Sequence, residues 1–317
     1  MCIIADNVKD VSETKIASFH VAYSLDNAIT ILPGQLVVYA AKVDSMTNTN
    51  ALILPIYNPG NDYRKIIPLD FSDESSFFWD LNLIYDRWFS SGKWKIQSLF
   101  TNSYSNNSES MLAVHKVGDY KFSIMPSKID FHRINRAELN INPSAKTSID
   151  AHSDDYSFII YQFYQKGRLD VSPFGYICPP YDEYSMIVPT IHGHPHDEIM
   201  ASASFGNYYG RNVAGFTGSD FEQSAEFDHV IYTLVKNPSK LDVPKKDLRD
   251  INDLLKKINI DYMKRKIIIY PPKSFIPNKI IIKGHKTNRN IIVDPKKYTF
   301  IHDLLLDNNS VMSRYGG

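Results

Sequence analysis

Nine consecutive residues, Tyr156-Ser-Phe-Ile-Ile-Tyr-Gln-Phe-Tyr164, carry no charge and follow a hydrophilic link from Asn140 to Asp155. A run of this kind belongs to a strand buried within a sheet, so the chain has to build layers that cover it. Phe227-Asp-His-Val-Ile-Tyr-Thr-Leu-Val235 makes a second such demand. Three shorter runs rich in Val, Ile, Ala and Tyr, at Lys15 to Tyr23, Gln35 to Asp44 and Ala51 to Ile56, are separated by Asn, Thr, Pro and Gly clusters and read as an antiparallel meander. Met111 to Val117 and Tyr120 to Ile124 flank Gly118-Asp119, the signature of a tight hairpin.

Helical spacing is confined to a few stretches. Phe77, Leu81, Ile84 and Trp88 recur on one face of a segment that Ser72 or Asp73 caps and Gly92 ends. A second helix is expected over Lys128 to Leu139. A third, over Val243 to Ile260, places Leu248, Ile251, Leu254, Leu255 and Ile258 on one side and Lys and Arg on the other. Lys266 to Tyr270 reads as a strand, Lys279 to Lys283 with Asn290 to Val293 as a hairpin, and Tyr298 to Asp307 as a last helix. The expected fold class is therefore α+β, a mainly antiparallel β-rich body over residues 1–236 with a few packed helices, followed by a small helix and β-hairpin module over residues 237–317.

Charge separates the same two regions. From Lys240 onward there are 17 Lys and Arg against 8 Asp, a net of +9, and the preceding 239 residues hold 18 against 27, a net of −9. A basic C-terminal segment can contact nucleic acid, but here it has ordinary folding signals and is expected to dock on the acidic body, which makes nucleic acid a secondary partner. No uncharged apolar run is long enough to span a membrane, and the start Met-Cys-Ile-Ile-Ala-Asp-Asn-Val-Lys-Asp has no signal-peptide pattern. With only Cys2 and Cys178 there is no disulfide scaffold, and an intracellular setting is expected. Walker-type and dinucleotide-binding glycine patterns are missing.

The densest chemistry lies in Pro189-Thr-Ile-His-Gly-His-Pro-His-Asp-Glu198, where His192, His194 and His196 fall within five residues. In an extended chain, alternate residues share a face about 6.6 Å apart, so His192 and His194 are placed to grip one ion. His196, Glu198, Asp228 and His229 are the candidates to complete the shell. Imidazole with carboxylate suits a divalent transition metal such as zinc, and a metal-dependent enzyme of unknown reaction would follow. The same residues also fit a polar loop in which Pro195 breaks the strand and the imidazoles bond Asp197, Glu198 or backbone.

Two other classes stay open. Removal of Met1 would expose Cys2 as an N-terminal nucleophile with its own amine as base, the arrangement of N-terminal-nucleophile hydrolases. Alternatively, 20 Tyr and 17 Phe fit a structural component of a virion or larger assembly that binds itself or virion proteins, although aromatics also fill ordinary β-rich cores.

Met1-Cys2, Val117-Gly-Asp-Tyr-Lys-Phe-Ser-Ile-Met-Pro-Ser127, Pro189-Thr-Ile-His-Gly-His194 and Phe227-Asp-His-Val-Ile-Tyr232 together resemble a family of uncharacterised proteins of microbes and large DNA viruses, over most of residues 1–235. The richness in Ile, Asn, Lys and Tyr is likewise similar to proteins of giant viruses, which implies a host-cytoplasmic or virion setting. The resemblance implies no assigned activity and transfers no catalytic residue.

Overall fold

The computed structural model describes the chain except for residues 1–2, 5–7, 27–28, 46–49, 91–111, 119, 140, 142–144, 151, 164–165, 185, 189–228, 238–242, 283–290, 295–298 and 302–317. Strands dominate the described residues, as the α+β reading requires. Two of them are long, β2 (Val8–Leu25) and β3 (Leu32–Ser45), and they pair antiparallel along most of their length, with register shifts near Ser12 where Glu13 takes a positive φ.

Length lets each take two neighbours on one edge. β2 is flanked by β12 (His229–Lys236) and β13 (Ile267–Tyr270), and β3 by β9 (Gly167–Asp170) and β10 (Phe174–Cys178). With β5 (Ile67–Leu69) and β14 (Phe275–Ile282) at the ends of the path, this forms an eight-stranded sheet. A five-stranded sheet runs β1 (Ile3–Ile4), β4 (Asn50–Tyr57), β8 (Tyr156–Phe163), β7 (Tyr120–Met125), β6 (Val114–Val117). A third joins β11 (Met186–Val188), β15 (Ile291–Asp294) and β16 (Thr299–Ile301). Every described pairing is antiparallel except that of β2 with β12.

Side-chain parity sorts these sheets into layers, because alternate residues of a strand face opposite ways. On β3, Val37, Tyr39, Ala41 and Val43 enter the core between the two large sheets, whereas Leu36 and Val38 face away. On β8, Ile159, Tyr161 and Phe163 enter that same core, and Phe158 and Ile160 face away. The outward face of the eight-stranded sheet is covered by helix α1 (Phe77–Ser90), through Phe77, Leu81, Tyr85 and Trp88, and by α3 (Lys245–Leu255), through Ile251, Leu254 and Leu255. The outward face of the five-stranded sheet is covered by a 3₁₀ turn (Lys128–Arg133) and the short helix α2 (Ala145–Asp150). Gly175 of β10 is required by close approach: a Cβ there would lie 2.7 Å from the Phe71 ring and 2.8 Å from the Val37 carbonyl oxygen.

Local expectations are met in most elements and altered in four. The hairpin at Gly118 forms, with Val117 opposite Tyr120 and Gly118 at φ +51°. Helix α1 starts at Phe77, later than a cap at Ser72 or Asp73 gives, because the intervening residues close tight turns, Glu74 N–H on the Phe71 carbonyl at 3.0 Å and Phe77 N–H on the Glu74 carbonyl at 3.1 Å. Lys128–Arg133 is a 3₁₀ turn in place of the longer helix: Ser127 and Asp130 cap it reciprocally, and Asp130 also holds Arg133. The expected hairpin of residues 279–283 with 290–293 does not form. β14 pairs with β12 and β15 with β11, and the hairpin comes one strand later, from β15 and β16, where a helix was expected.

Of the elements after residue 236, β13 and β14 lie in the same sheet as β2 and β12 and α3 lies on it, whereas β15 and β16 join β11. Lysines after residue 236 meet acids of the preceding region: Lys257 reaches Asp80 at 2.7 Å, Lys279 reaches Asp86 at 2.6 Å, and Lys264 pairs with Asp70. Exposed pairs such as the first two contribute little each, about 0–1 kcal/mol, so the apolar face of α3 carries most of the attachment.

Candidate ligand-binding cleft

Three turns meet beside the inter-sheet core and leave a cleft of about 760 Å³. They are the loop between β4 and β5, the 3₁₀ turn below the β6–β7 hairpin, and the loop that follows α3. The last is seated by backbone bonds from Tyr262 N–H to the Pro68 carbonyl (3.1 Å) and from Asp70 N–H to the Ile260 carbonyl (3.2 Å).

Each turn contributes one arginine, and each arginine is steadied by an aspartate two to four residues before it. Asp62 takes Arg64 bidentately, through Nε at 2.7 Å and Nη2 at 3.1 Å. Asp130, almost fully buried, takes Arg133 Nη1 at 2.5 Å. Asp261, fully buried, accepts from the N–H groups of Met263 and Arg265 at 2.9 Å and from Arg265 Nε at 2.7 Å. A guanidinium has five N–H donors in a rigid plane, and its partner carboxylate uses only some of them; Arg64 and Arg265 have donors left to offer a bound anion. The anchoring also lowers the side-chain entropy lost on binding.

Aliphatic groups, Ile66, Ile67, Leu112, Ile124 and Pro126 among them, and the rings of His115 and Tyr262 form the remaining walls. The His115 ring packs against Phe122, 5.2 Å away, and Tyr262, 4.8 Å away and edge-on, and those two rings meet each other at 5.4 Å. Burial lowers the His115 pKa, which favours the neutral imidazole at pH 7, while burial raises the Tyr262 phenol. Tyr63 and Met263 stand exposed at the rim. The Asp62 carboxyl is held low by its hydrogen bond from Arg64. The described lining contains no Ser, Thr, Cys or Lys; its polar groups are the three guanidiniums, the Tyr63 and Tyr262 phenols, His115, Asn61 and Asp62.

Of the residues singled out from sequence, His192, His194, His196, Glu198, Asp228 and Cys2 lie outside the described residues. His229 opens β12, its backbone opposite Thr14 and Ile282. Among the described residues no three His, Cys, Asp or Glu come together as a metal-holding group. Cys178 is buried with its thiol pushed up to about 12, so it packs as a small apolar group. The cleft itself went unread in the sequence; the available signal was the repeated short Asp-to-Arg spacing at 62/64, 130/133 and 261/265.

No protein-family model matches the chain. Among solved structures it is similar to a mutated baculovirus P35 after caspase cleavage, at 14% identity over 89% of this chain and 99% of that one with a TM-score of 0.37. It is also similar to baculovirus P35, at 11% identity over 90% of this chain and 96% of that one with a TM-score of 0.35. Overlap at this level does not establish a shared topology.

Proposed function

We propose that the protein binds a small organic anion, an aromatic or heterocyclic body bearing a carboxylate or phosphate, in the cleft between the β4–β5 loop, the 3₁₀ turn and the loop after α3. The observation that carries this reading is the set of three arginines, each anchored by its own aspartate, beside His115 and Tyr262. Aspartate-held guanidiniums bind carboxylate or phosphate with charge-assisted hydrogen bonds, and rings beside them favour a flat ligand body.

Thermal-shift titration with phenyl phosphate, against phenol and inorganic phosphate as the separate halves, tests it. Phenyl phosphate should stabilise the protein more than either half does. Arg64→Gln, at a site 77% exposed where folding is not at stake, should weaken binding roughly tenfold or more. Equal stabilisation by phenol, or an unchanged response in Arg64→Gln, would sink the reading.

A second reading keeps the divalent transition metal at His192 and His194, with His196, Glu198, Asp228 or His229. It is supported by three histidines within five residues, shortly after β11 (Met186–Val188) in the sequence. Elemental analysis of untagged protein and of His192→Ala tests it: zinc retained equally in both would remove it.

A further inference from the structure

The end of the five-stranded sheet nearest the cleft carries a group of oxygens whose chemistry is incomplete. Tyr57 and Tyr156 are the last register partners of β4 and β8, so Asn58 and Asp155 are the next pair outward, joined by a bond from the Asn58 N–H to the Asp155 carbonyl at 2.7 Å. Directly opposite residues of an antiparallel pair share a face, with Cβ atoms about 4.5–5.5 Å apart. The chain then turns back through Pro59 and Gly60. Asn61, at φ +51°, donates its N–H to the Asn58 carbonyl at 2.9 Å.

Both asparagine amides are oriented by bonds from their nitrogens. Asn58 Nδ2 donates to Ser157 Oγ at 2.9 Å, and that hydroxyl donates onward to the Pro126 carbonyl at 2.6 Å. Asn61 Nδ2 donates to the Asp154 carbonyl at 2.9 Å. Reversing either amide would set its oxygen against the acceptor that its nitrogen now serves at Asp154, and would strip the Ser157 contact of its donor at Asn58. The atoms left over are therefore both amide oxygens, and the two carboxylate oxygens of Asp155 join them. All four are buried, on residues exposed by 0%, 7% and 0%, and among the described residues none accepts a hydrogen bond. Lys128, which reaches the neighbouring Asp154, is already committed, with its Nζ on Asp154 at 2.7 Å and on the His152 carbonyl at 2.9 Å. An ionised carboxylate without donor or counter-charge costs several kcal/mol to bury, and two orphan amide oxygens add to that.

We propose that Asn58, Asn61 and Asp155 form an oxygen-ligand site for a hard divalent cation of the calcium type. Calcium takes six to eight oxygens at about 2.3–2.6 Å in a tolerant geometry, and a bidentate carboxylate with two amide oxygens supplies four, carbonyls and water the rest. A donor set without nitrogen or sulfur does not select zinc or copper, and magnesium demands a stricter octahedron. Affinity rises with the number of charged ligands, so one carboxylate corresponds to a Kd on the order of 0.1–1 mM. The competing occupant is a proton on Asp155, favoured because burial and the neighbouring Asp154 raise that carboxyl. The proton would satisfy one carboxylate oxygen and one amide oxygen and leave two stranded. This assignment does not depend on the cleft's ligand, although Asn61 borders both.

Chelator-treated full-length protein, melted at pH 7.5 with calcium, magnesium or sodium chloride at matched ionic strength, decides between them. Calcium at 10 mM should raise Tm by roughly 2–4 °C, with magnesium well behind and sodium inert. Asp155→Asn keeps the shape and removes the charge; it should lose the calcium response while melting no lower than the calcium-free parent. Asn61→Gly keeps the left-handed backbone and should weaken calcium roughly tenfold, a readout that survives if Asp155→Asn fails to fold. No calcium response in the parent, or an undiminished response in either variant, overturns the site and leaves Asp155 protonated.

Discussion

Two tyrosines allow the same substitution to be tested with opposite expected signs. Tyr161 sits in the core between the two large sheets, its ring 4.1 Å from Phe174 and 5.4 Å from Tyr120, and its hydroxyl is buried with no hydrogen-bond partner among the described residues. Tyr85 is equally buried on α1, but its hydroxyl donates to the Thr233 carbonyl at 2.8 Å. Burial pushes both phenols well above their ordinary range, so each is a neutral hydroxyl at any working pH. A hydroxyl buried without a partner costs about 1–3 kcal/mol, and Tyr161→Phe removes that cost while the ring contacts with Phe174 and Phe122 stay. It should stabilise the protein by about 1 kcal/mol or more. Tyr85→Phe loses a bond with a net contribution of about 0.5–1.5 kcal/mol and strands a carbonyl lone pair, so it should destabilise by about that much. Urea unfolding of both variants and the double mutant, with unchanged m-values, gives the numbers directly. The two residues belong to different cores, and their effects should add within about 0.5 kcal/mol. Loss of stability in Tyr161→Phe would refute the reasoning, because it would mean that the hydroxyl is satisfied in solution.

Two further outcomes follow from the same structure. A fragment ending at residue 236 lacks β13, β14 and α3, which pair with β2 and β12 and bury Ile251, Leu255, Ile267 and Phe275; it is expected to unfold without a cooperative transition by calorimetry, and a sharp two-state melt would establish residues 1–236 as an independent unit. Burial opposes ionisation of Asp70, but hydrogen bonds from Lys264 and Ser72 outweigh it and hold the carboxyl below its ordinary 3.8. The stability from that shift is fully present above about pH 4 and is lost as pH falls through the lower folded value, so Asp70→Asn should flatten the acid limb of the stability curve, and an unchanged limb would show that the pair contributes nothing.

Periodicity carried the elements whose burial is one-sided or complete. The stripe Phe77, Leu81, Ile84, Trp88 gives α1, and the uncharged runs at 156–163 and 229–235 lie in central strands. Where local hydrogen bonding competes with helix formation, periodicity misled: Ser127, Asp130 and Arg133 satisfy one another within a 3₁₀ turn, so the helical pattern beyond it has no helix to continue. Strand partners were less legible, since Ile280 could as well pair with a near neighbour as with Ile231. The cleft shows the same division. Each Asp–Arg pair is a local feature of its own turn, but the meeting of residues 62–64, 133 and 262–265 is set by the sheets that carry them. The oxygen group at Asn58 and Asp155 depends on register, and one residue of slip between β4 and β8 would send the two side chains to opposite faces.

The parallel pairing of β2 with β12 joins residues about 215 positions apart, Thr14 with His229 and Phe19 with Leu234. A ribosome adding roughly 5–20 residues per second needs on the order of 10–40 s to deliver the second strand after the first, whereas a β2–β3 hairpin can close within microseconds of its emergence. Throughout that interval the nascent chain carries a long sheet edge with its N–H and C=O groups unanswered, a template that any neighbouring copy on the same message can extend. That edge is answered by β12 only once residue 236 has left the exit tunnel.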